Sequence, residues 1–320
     1  MVQFLVKRFI GLIFVIVAVT FITFVLGLNA PGDPIKTMLG QHFNLATYLS
    51  LRHTYGLDLP WYQQYGNYLA NLFRFQFGYS YQFQNEPVWD LLKNGVPVST
   101  ELAFWALILE VLIGVPIGII SALKSNSWID TTNMGVMLIL FALPSFILAV
   151  FAQLIIVWFD TSTGNTWPVQ GWSNTPWTYS LSDIQVKLVP ILVVAAVGTA
   201  FFARLARTSM LEVLRQDFVR TARAKGLRER AVIYRHAFRN AMIPLVTVFG
   251  ITLGTTVVGL FFIENIFNIP GIAQQTISSI EARDYPVIQA TTVLIAVGVV
   301  LGNLLSDILY SVADPRIKAA

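Results

Sequence analysis

The 320-residue sequence contains no cysteine and few charged residues. Without cysteine, the chain can form no disulfide, no thiolate nucleophile and no cysteine-based metal site. Asp, Glu, Lys and Arg make up only 12% of the residues, which is about half the usual share, and 55% of the residues are hydrophobic. So few polar side chains cannot cover a globular surface, and the composition therefore predicts an integral membrane protein.

The sequence also lacks the short motifs of common hydrolases and nucleotide-binding proteins. No HExxH, GxSxG or GxxxxGK[ST] stretch occurs in it, so nothing indicates a zinc hydrolase, a serine hydrolase or an ATP-binding phosphate loop. A membrane enzyme would need an intramembrane nucleophile with its base, or a metal cluster, and neither is visible. We therefore expect a non-catalytic chain with no metal site and no bound cofactor.

Six apolar runs are long enough to cross the hydrocarbon core of a bilayer, which takes about twenty helical residues. The third run is interrupted by Pro144. The runs lie at about 9–28, 101–123, 131–159, 188–206, 241–263 and 287–310. The predicted fold is therefore an all-α integral membrane protein with six transmembrane helices.

Lys and Arg are distributed unevenly between the segments that join these runs. With a cytosolic N-terminus, 15 of the 21 basic residues fall on the cytosolic side, and ten of these lie between Arg204 and Arg239. The positive-inside rule therefore predicts that both termini are cytosolic. Because topology explains the basic composition, we expect the lipid bilayer as a partner and not nucleic acid.

Between the first two runs lies a long outer segment, 29–100, that is rich in aromatic residues. Unstructured loops of this length are uncommon, so short helices are expected here. The aromatic side chains either lie at the lipid interface or form a docking surface for an external protein. The predicted organisation is the first helix with this segment over 1–98, a five-helix core over 99–310 with a cytosolic loop at 207–240, and a cytosolic tail over 311–320.

Three of the apolar runs carry glycines four residues apart. This spacing lets two helices approach closely, either inside a bundle or against another membrane subunit. The pairs are Gly114 with Gly118, Gly250 with Gly254, and Gly298 with Gly302.

The cytosolic loop contains the basic stretch DFVRTARAKGLRERAVIYRH. Asp217 is a suitable N-cap for a two-turn helix from Phe218 to Lys225, and Gly226 is a suitable C′ residue. Phe218, Ala222 and Lys225 would share one side of this helix. The stretch is either a basic interfacial loop or a docking helix for a cytosolic partner, and the second interpretation accounts better for a short, capped, alanine-rich helix.

A second helix is predicted from about Arg228 to Met242. Its apolar residues, which include Val232 and Ala237, would face lipid, while its arginines would face water and phosphates. Pro244 would then lie near the first turn of the fifth span.

The EAA loop of ABC-importer permeases, in the form found in the dipeptide, oligopeptide and nickel branch, resembles the segment EVLRQDFVRTARAKGLRERAVIYRHAFRNAMIPLVTVFG. Three further stretches resemble the same family and occur in its order along the chain. They are KRFIGLIFVIVAVTFITFVL, FFIENIFNIPGIAQQTISSIEARDYPVIQA and NLLSDILYSVADPRI. The resemblance covers nearly the whole chain and is closest to the B-type subunit of peptide permeases. At the three EAA positions the chain has Arg220, Thr221 and Ala222, so only the last is retained.

This resemblance implies a type I ABC-importer permease fold and a coupling helix, Phe218–Gly226, that is seated on an ATPase subunit. The residues implied in ATPase coupling are Asp217, Phe218, Arg220, Thr221, Ala222, Arg223, Ala224, Lys225 and Gly226. We also predict that Glu110, Pro144 and Asn303 line the translocation pathway, since a carboxylate inside a span, such as that of Glu110, is costly and raises a functional question.

The resemblance further implies a complex in a bacterial or archaeal cytoplasmic membrane. Its other members would be a second, C-type permease subunit, two cytosolic ABC ATPase subunits that bind ATP and magnesium, and an extracytoplasmic substrate-binding protein. The expected cargo is a di- or oligopeptide, with nickel chelates or glutathione as alternatives. A stand-alone secondary transporter is the alternative from a different class, and it would show inverted repeats and ion-coupling carboxylates.

Overall fold

The computed structural model describes residues 2–30, 32–40, 43–83, 86–164, 166–173 and 175–313. Side chains are described within these ranges except at 2–9, 253–255, 257–259, 307 and 309–313. Most of the predicted cytosolic tail, from residue 314 onward, lies outside the described residues. The surroundings of Gly254 are also outside them.

In these ranges the chain forms successive helices, and an isolated antiparallel bridge joins Tyr79 to Pro87. The helices are α1 (Val2–Asn29), α2 (Pro34–Leu39), α3 (Leu45–Thr54), α4 (Trp61–Leu72), α5 (Val88–Leu92), α6 (Gly95–Leu123), α7 (Trp128–Ala142), α8 (Ser145–Thr163), α9 (Leu181–Leu214), α10 (Asp217–Ala224), α11 (Glu229–Ala231), a π-helical segment (Val232–Phe238), α12 (Arg239–Ile266), α13 (Ile272–Glu281) and α14 (Tyr285–Ala313).

The long helices account for the predicted membrane spans. In the described part of the chain, α1, α6, α8, α9 and α14 each contain a stretch long and apolar enough to cross a bilayer. Helix α12 has 28 residues, which at 1.5 Å per residue gives about 42 Å, more than the ~30 Å of hydrocarbon. The predicted first, second, fourth, fifth and sixth spans each lie within one of these helices. The all-α membrane fold is therefore confirmed.

The third predicted span forms two helices. Helix α7 ends at Ala142, and Leu143 has an extended backbone with φ −85° and ψ 127°. Pro144 is the N-cap of α8. Proline has no N–H to continue the hydrogen bonds of α7, and it forces the residue before it towards extended conformations. The chain is therefore broken at the proline that interrupts the apolar run.

The chain forms two compact units, and the first consists of residues 1–99 and 270–300. Its outer segment contains the short helices α2 to α5, as the length of this segment predicts. The carboxylate of Asp284 accepts hydrogen bonds from the hydroxyl of Ser80 and from the N–H of Tyr81 (3.0 Å). This unit has an apolar cluster of Phe77, Val88, Leu92, Val287 and Ala290.

The second unit consists of residues 100–269 and 301–320. In it α6 packs closely on α9, since a Cβ added at Gly114 would lie 2.7 Å from the carbonyl oxygen of Thr199, and one at Gly118 would lie 2.7 Å from Cβ of Ala206. These two glycines therefore serve packing within the chain. The apolar cluster around them contains Leu107, Val115, Phe202, Ala206 and Leu245.

A buried ion pair joins α6 to α9 at the end where α9 begins. The Lys187 ammonium donates to Oε1 of Glu101 at 2.7 Å, and the two side chains are 2% and 0% exposed. Lys187 also donates to the carbonyl oxygen of Thr178 at 2.8 Å, and the indole N–H of Trp172 donates to Oε2 of Glu101 at 3.3 Å. The ammonium lies 5.1 Å from the ring centre of Tyr179. This network ties the loop before α9 to the two helices.

Candidate coupling segment

Helix α10 corresponds to the predicted docking helix but begins one residue earlier. It runs over Asp217–Ala224, and its N-cap is Gln216, with φ −72° and ψ 149°, which makes no side-chain capping bond. The prediction that Asp217 is the N-cap is therefore wrong. Its carboxylate lies instead in the first turn, where negative charge is favourable, 3.5 Å from the guanidinium of Arg220.

The end of α10 agrees with the prediction. Lys225 is the C-cap, and Gly226 follows it with φ +75°, in the left-handed region that glycine adopts without steric cost. The N–H of Gly226 donates to the carbonyl oxygen of Arg223 at 2.9 Å, and that of Leu227 donates to Ala222 at 3.4 Å. A Cβ at Gly226 would meet nothing within 4 Å, so the backbone conformation alone restricts this position.

One face of α10 is buried against its own chain. Val219 is fully buried and Ala222 is almost so. The predicted side that contains Phe218 and Ala222 at i, i+4 is therefore only partly exposed, because Ala222 is buried while Phe218 is not. The buried face is the pair Val219 and Ala222 at i, i+3, a spacing that was visible in the sequence. The cluster that holds them consists of Ala122, Met210, Val219, Ala222, Val232, Ala237 and Ala241.

The other residues of α10 are exposed, and two of them, Arg220 and Arg223, are basic. Phe218 is 43% exposed. The hydroxyl of Thr221 donates to the carbonyl oxygen of Asp217 at 2.9 Å. The guanidinium of Arg223 pairs with the carboxylate of Glu229 at 2.8 Å, and this hydrogen bond holds the pKa of Glu229 below its ordinary value. The remaining exposed members of the predicted coupling set are Arg220, Ala224, Lys225 and Gly226.

The second predicted helix has a different form and a different role. Glu229–Ala231 is one α-helical turn, Val232–Phe238 is π-helical, and the helix continues into α12 through Pro244. Val232 and Ala237 are fully buried in the cluster that holds α10, so the prediction that they face lipid is wrong. This segment instead forms the support on which α10 lies.

The three residues predicted for the translocation pathway lie on different helices. Glu110 of α6 is buried, and its carboxyl group fills the space at Gly198 of α9 that a side chain would occupy. Pro144 begins α8, and Asn303 is half-buried in α14. The described hydrogen bonds and ion pairs do not join the three, and their role in the pathway stays a prediction.

An all-α chain with several bilayer-spanning helices is a multi-pass membrane protein. Residues 114–319 match the family described as binding-protein-dependent transport system inner membrane component, and residues 1–103 match its N-terminal counterpart. The chain belongs to this family, the permease subunits of ABC importers. Membership does not favour a stand-alone secondary transporter.

Full-length relatives support the same assignment. The chain is 38% identical over 318 residues to the dipeptide transport system permease protein DppB of Bacillus subtilis, covering 99% of this chain and 98% of that protein. It is 35% identical to the oligopeptide transport system permease protein AppB of the same organism, covering 99% and 100%. The dipeptide permease protein DppB of Escherichia coli is 33% identical, with 99% of both chains covered.

A solved structure shares the fold. A chain of the MetNI methionine ABC transporter, in an inward-facing conformation, superposes with a TM-score of 0.59 at 19% identity. The match covers 72% of this chain and 100% of that one. At this identity the likeness concerns the fold alone, and it is a permease fold.

Proposed function

We propose that this chain is the B-type transmembrane subunit of an ATP-driven importer of di- and oligopeptides in a bacterial cytoplasmic membrane. With a second permease subunit it forms the translocation pathway. Two cytosolic ABC ATPase subunits bind ATP and magnesium, and an extracytoplasmic binding protein delivers the peptide. The chain itself is non-catalytic and transmits the movement of the ATPases.

The names of the relatives support the peptide cargo. Three permeases of 33–38% identity, aligned over nearly their whole lengths, are named for dipeptide or oligopeptide transport. Nickel chelates and glutathione have no such support among these relatives.

The single observation that carries the coupling role is the division of α10 into two faces. Val219 and Ala222 anchor the helix in an apolar cluster of its own chain, while Phe218 and the basic residues around it are exposed. A purely interfacial loop has no need of a buried anchor with an exposed aromatic side chain beside it. An exposed aromatic residue among arginines is typical of an interface centre. We therefore assign the ATPase contact to the exposed face.

The decisive experiment changes the exposed face and leaves the anchor intact. Phe218→Ala should weaken retention of the ATPase subunits on the purified, tagged permease about tenfold, because aromatic residues at interface centres carry much of the binding energy. Tyr234→Ala is the matched control, since Tyr234 is also an exposed aromatic residue but lies on the π-helical segment. Retention is measured by quantitative mass spectrometry, and thermal stability of the permease by fluorescence-detected gel filtration.

Equal ATPase retention in the two variants would contradict the assignment of the contact to α10. A loss of thermal stability in Phe218→Ala would show that the residue supports the permease fold itself. Peptide uptake by the reconstituted wild-type complex, measured with radiolabelled di- and tripeptides, tests the cargo separately.

A further inference from the structure

Helix α4 of the outer segment carries no charged side chain. Its sequence, WYQQYGNYLANL, consists of aromatic, amide, small and aliphatic residues. The neighbouring helix α3 carries Arg52 and His53. A helix that faces water normally has charged residues on its exposed side. With 12 residues α4 is about 18 Å long, too short to cross a bilayer, so its lack of charge is not explained by its being a span.

Helix α4 lies against the membrane-spanning part of α1. The hydroxyl of Tyr65 donates to the carbonyl oxygen of Val17 at 3.0 Å. The ring centre of Tyr65 is 5.4 Å from that of Phe21 and 5.3 Å from that of Phe24. The apolar stretch of α1, Ile10–Asn29, has 20 residues, which is the length needed to cross the hydrocarbon once. Phe21 and Phe24 lie well before its end, so the ring of Tyr65 is roughly 8–12 Å inside the hydrocarbon.

The exposed residues of α4 include a stripe of aromatic and small residues. This exposed stripe consists of Tyr62, Gly66, Ala70 and Phe73, the residue that follows the helix, at i, i+4, i+8 and i+11. Three of the four amide side chains of α4 line a cavity of about 840 Å³ within the same unit, namely Gln64, Asn67 and Asn71. The fourth, Gln63, is exposed at the edge of the stripe. Apolar residues outward with amides towards a cavity are suited to hydrocarbon surroundings and not to water.

We propose that α4 lies in the outer leaflet of the bilayer beside α1 and that its exposed stripe contacts lipid acyl chains. The stripe adjoins a surface that already faces lipid, because Phe21 of α1 is 42% exposed and is in ring contact with Tyr65. The hydrogen bonds of a helix satisfy its own backbone, as hydrocarbon requires. For α4, the aromatic residues of the outer segment therefore serve the membrane and not an external protein.

Photocrosslinking in the complete complex identifies what touches the stripe. Tyr62 is replaced by the photoreactive residue p-benzoylphenylalanine, and the complex is placed in lipid nanodiscs and illuminated with and without the binding protein. Ser50 is the matched control position, because it is exposed on the charged helix α3. Mass spectrometry of this chain should find phospholipid adducts about tenfold more often at position 62 than at position 50.

Thiol labelling measures access of water to the same positions. The chain has no cysteine, so Tyr62→Cys, Gly66→Cys and Ser50→Cys each introduce its only thiol, and a Cβ at Gly66 meets nothing within 4 Å. A charged maleimide should modify positions 62 and 66 about tenfold more slowly than position 50, because a charged reagent does not enter hydrocarbon. ATPase subunits that remain bound to each variant show that the complex is assembled.

Three results would overturn the inference. Adducts of position 62 with the second permease or with the binding protein would identify a protein partner for the stripe. Lipid adducts that are equally frequent at positions 62 and 50 would show that α4 lies no deeper than α3. Thiols at positions 62 and 66 that react as fast as the one at position 50 would place α4 in water. None of these results depends on which cargo the complex imports.

Discussion

The charged side chains at the two ends of α9 differ in how many of them have partners within the chain. At the end where the helix begins, Lys187 is 2% exposed and is satisfied by Glu101 and by the carbonyl oxygen of Thr178. Towards the other end, Arg207 pairs with Asp130 of α7 at 2.7 Å, while Arg204 is exposed without a described carboxylate partner. The first end uses its buried charge to hold its own fold, and the second uses one charge in the same way and leaves another exposed. The same helix thus joins a fixed outer anchor to an inner surface suited to contacts.

The segments that adjoin the two ends continue this difference. The loop before α9 is tied down through Trp172, Thr178 and Tyr179. After α9 the chain passes directly into α10, of which only one face is buried. An end held by buried contacts and an end with an exposed helix would suit the proposed transmission of movement from the ATPase subunits. The following changes test whether the difference is real.

The largest effect is expected at the outer anchor. Lys187→Met should destabilise the permease by about 3–5 kcal/mol, because it leaves the buried carboxylate of Glu101 without its counter-ion. The double variant Glu101→Leu/Lys187→Met should recover much of this loss, since an apolar pair of similar volume removes both buried charges. Thermal unfolding of the detergent-solubilised protein is the measurement.

The control for this anchor is Lys93→Met, which breaks an exposed ion pair with Asp90. Exposed pairs contribute ~0–1 kcal/mol, so this variant should stay near the wild type. A melting temperature for Lys187→Met that equals that of the control would show that the buried pair does not anchor α9.

A smaller effect is expected where α6 meets the inner half of α9. Gly118→Ala should destabilise by roughly 1–3 kcal/mol, because the new Cβ would lie 2.7 Å from Cβ of Ala206 and the helices would have to move apart. Gly135→Ala in α7 is the matched control, as a Cβ there meets nothing within 4 Å. Replacing a helical glycine by alanine in open space should stabilise by ~0.5–1 kcal/mol. If Gly118→Ala and Gly135→Ala shifted the melting temperature in the same direction, close packing at Gly118 would be contradicted.

The sequence predicted the features that depend on local chemistry. The lengths of the apolar runs predicted the spans, and Pro144 predicted where the third one breaks. Gly226 was correctly identified as the residue after the helix, because few other residues adopt a positive φ. These features require no knowledge of which helix neighbours which.

The features that depend on distant contacts were not predictable in this way. The spacing of Phe218, Ala222 and Lys225 defines one side of α10 but does not say which of its residues the protein buries, and Ala222 is buried. The π-helical segment was missed because its wider turn follows from packing and not from composition. Glu101 and Lys187 are 86 residues apart, so nothing in the sequence paired them.

The smallest effect is expected at the exposed ion pair that connects α10 to its support. Glu229→Gln removes the carboxylate that binds Arg223, and because both side chains are largely exposed the cost should be under ~1 kcal/mol. The pKa of Glu229 is lowered by Arg223 from an ordinary value of 4.5, so the pair contributes fully above that value and its contribution is lost as the pH falls through the lowered pKa.

Hydrogen exchange of residues 217–229, with rates corrected for the intrinsic dependence on pH, should therefore differ between the wild type and Glu229→Gln at pH 7.5. High salt should reduce this difference, because it screens exposed charges. Incubation below the lowered pKa should remove it, since protonated Glu229 is as neutral as glutamine. A difference that persists under both conditions would mean that Glu229 supports α10 through packing, and the inner end of α9 would then be as firmly anchored as the outer one.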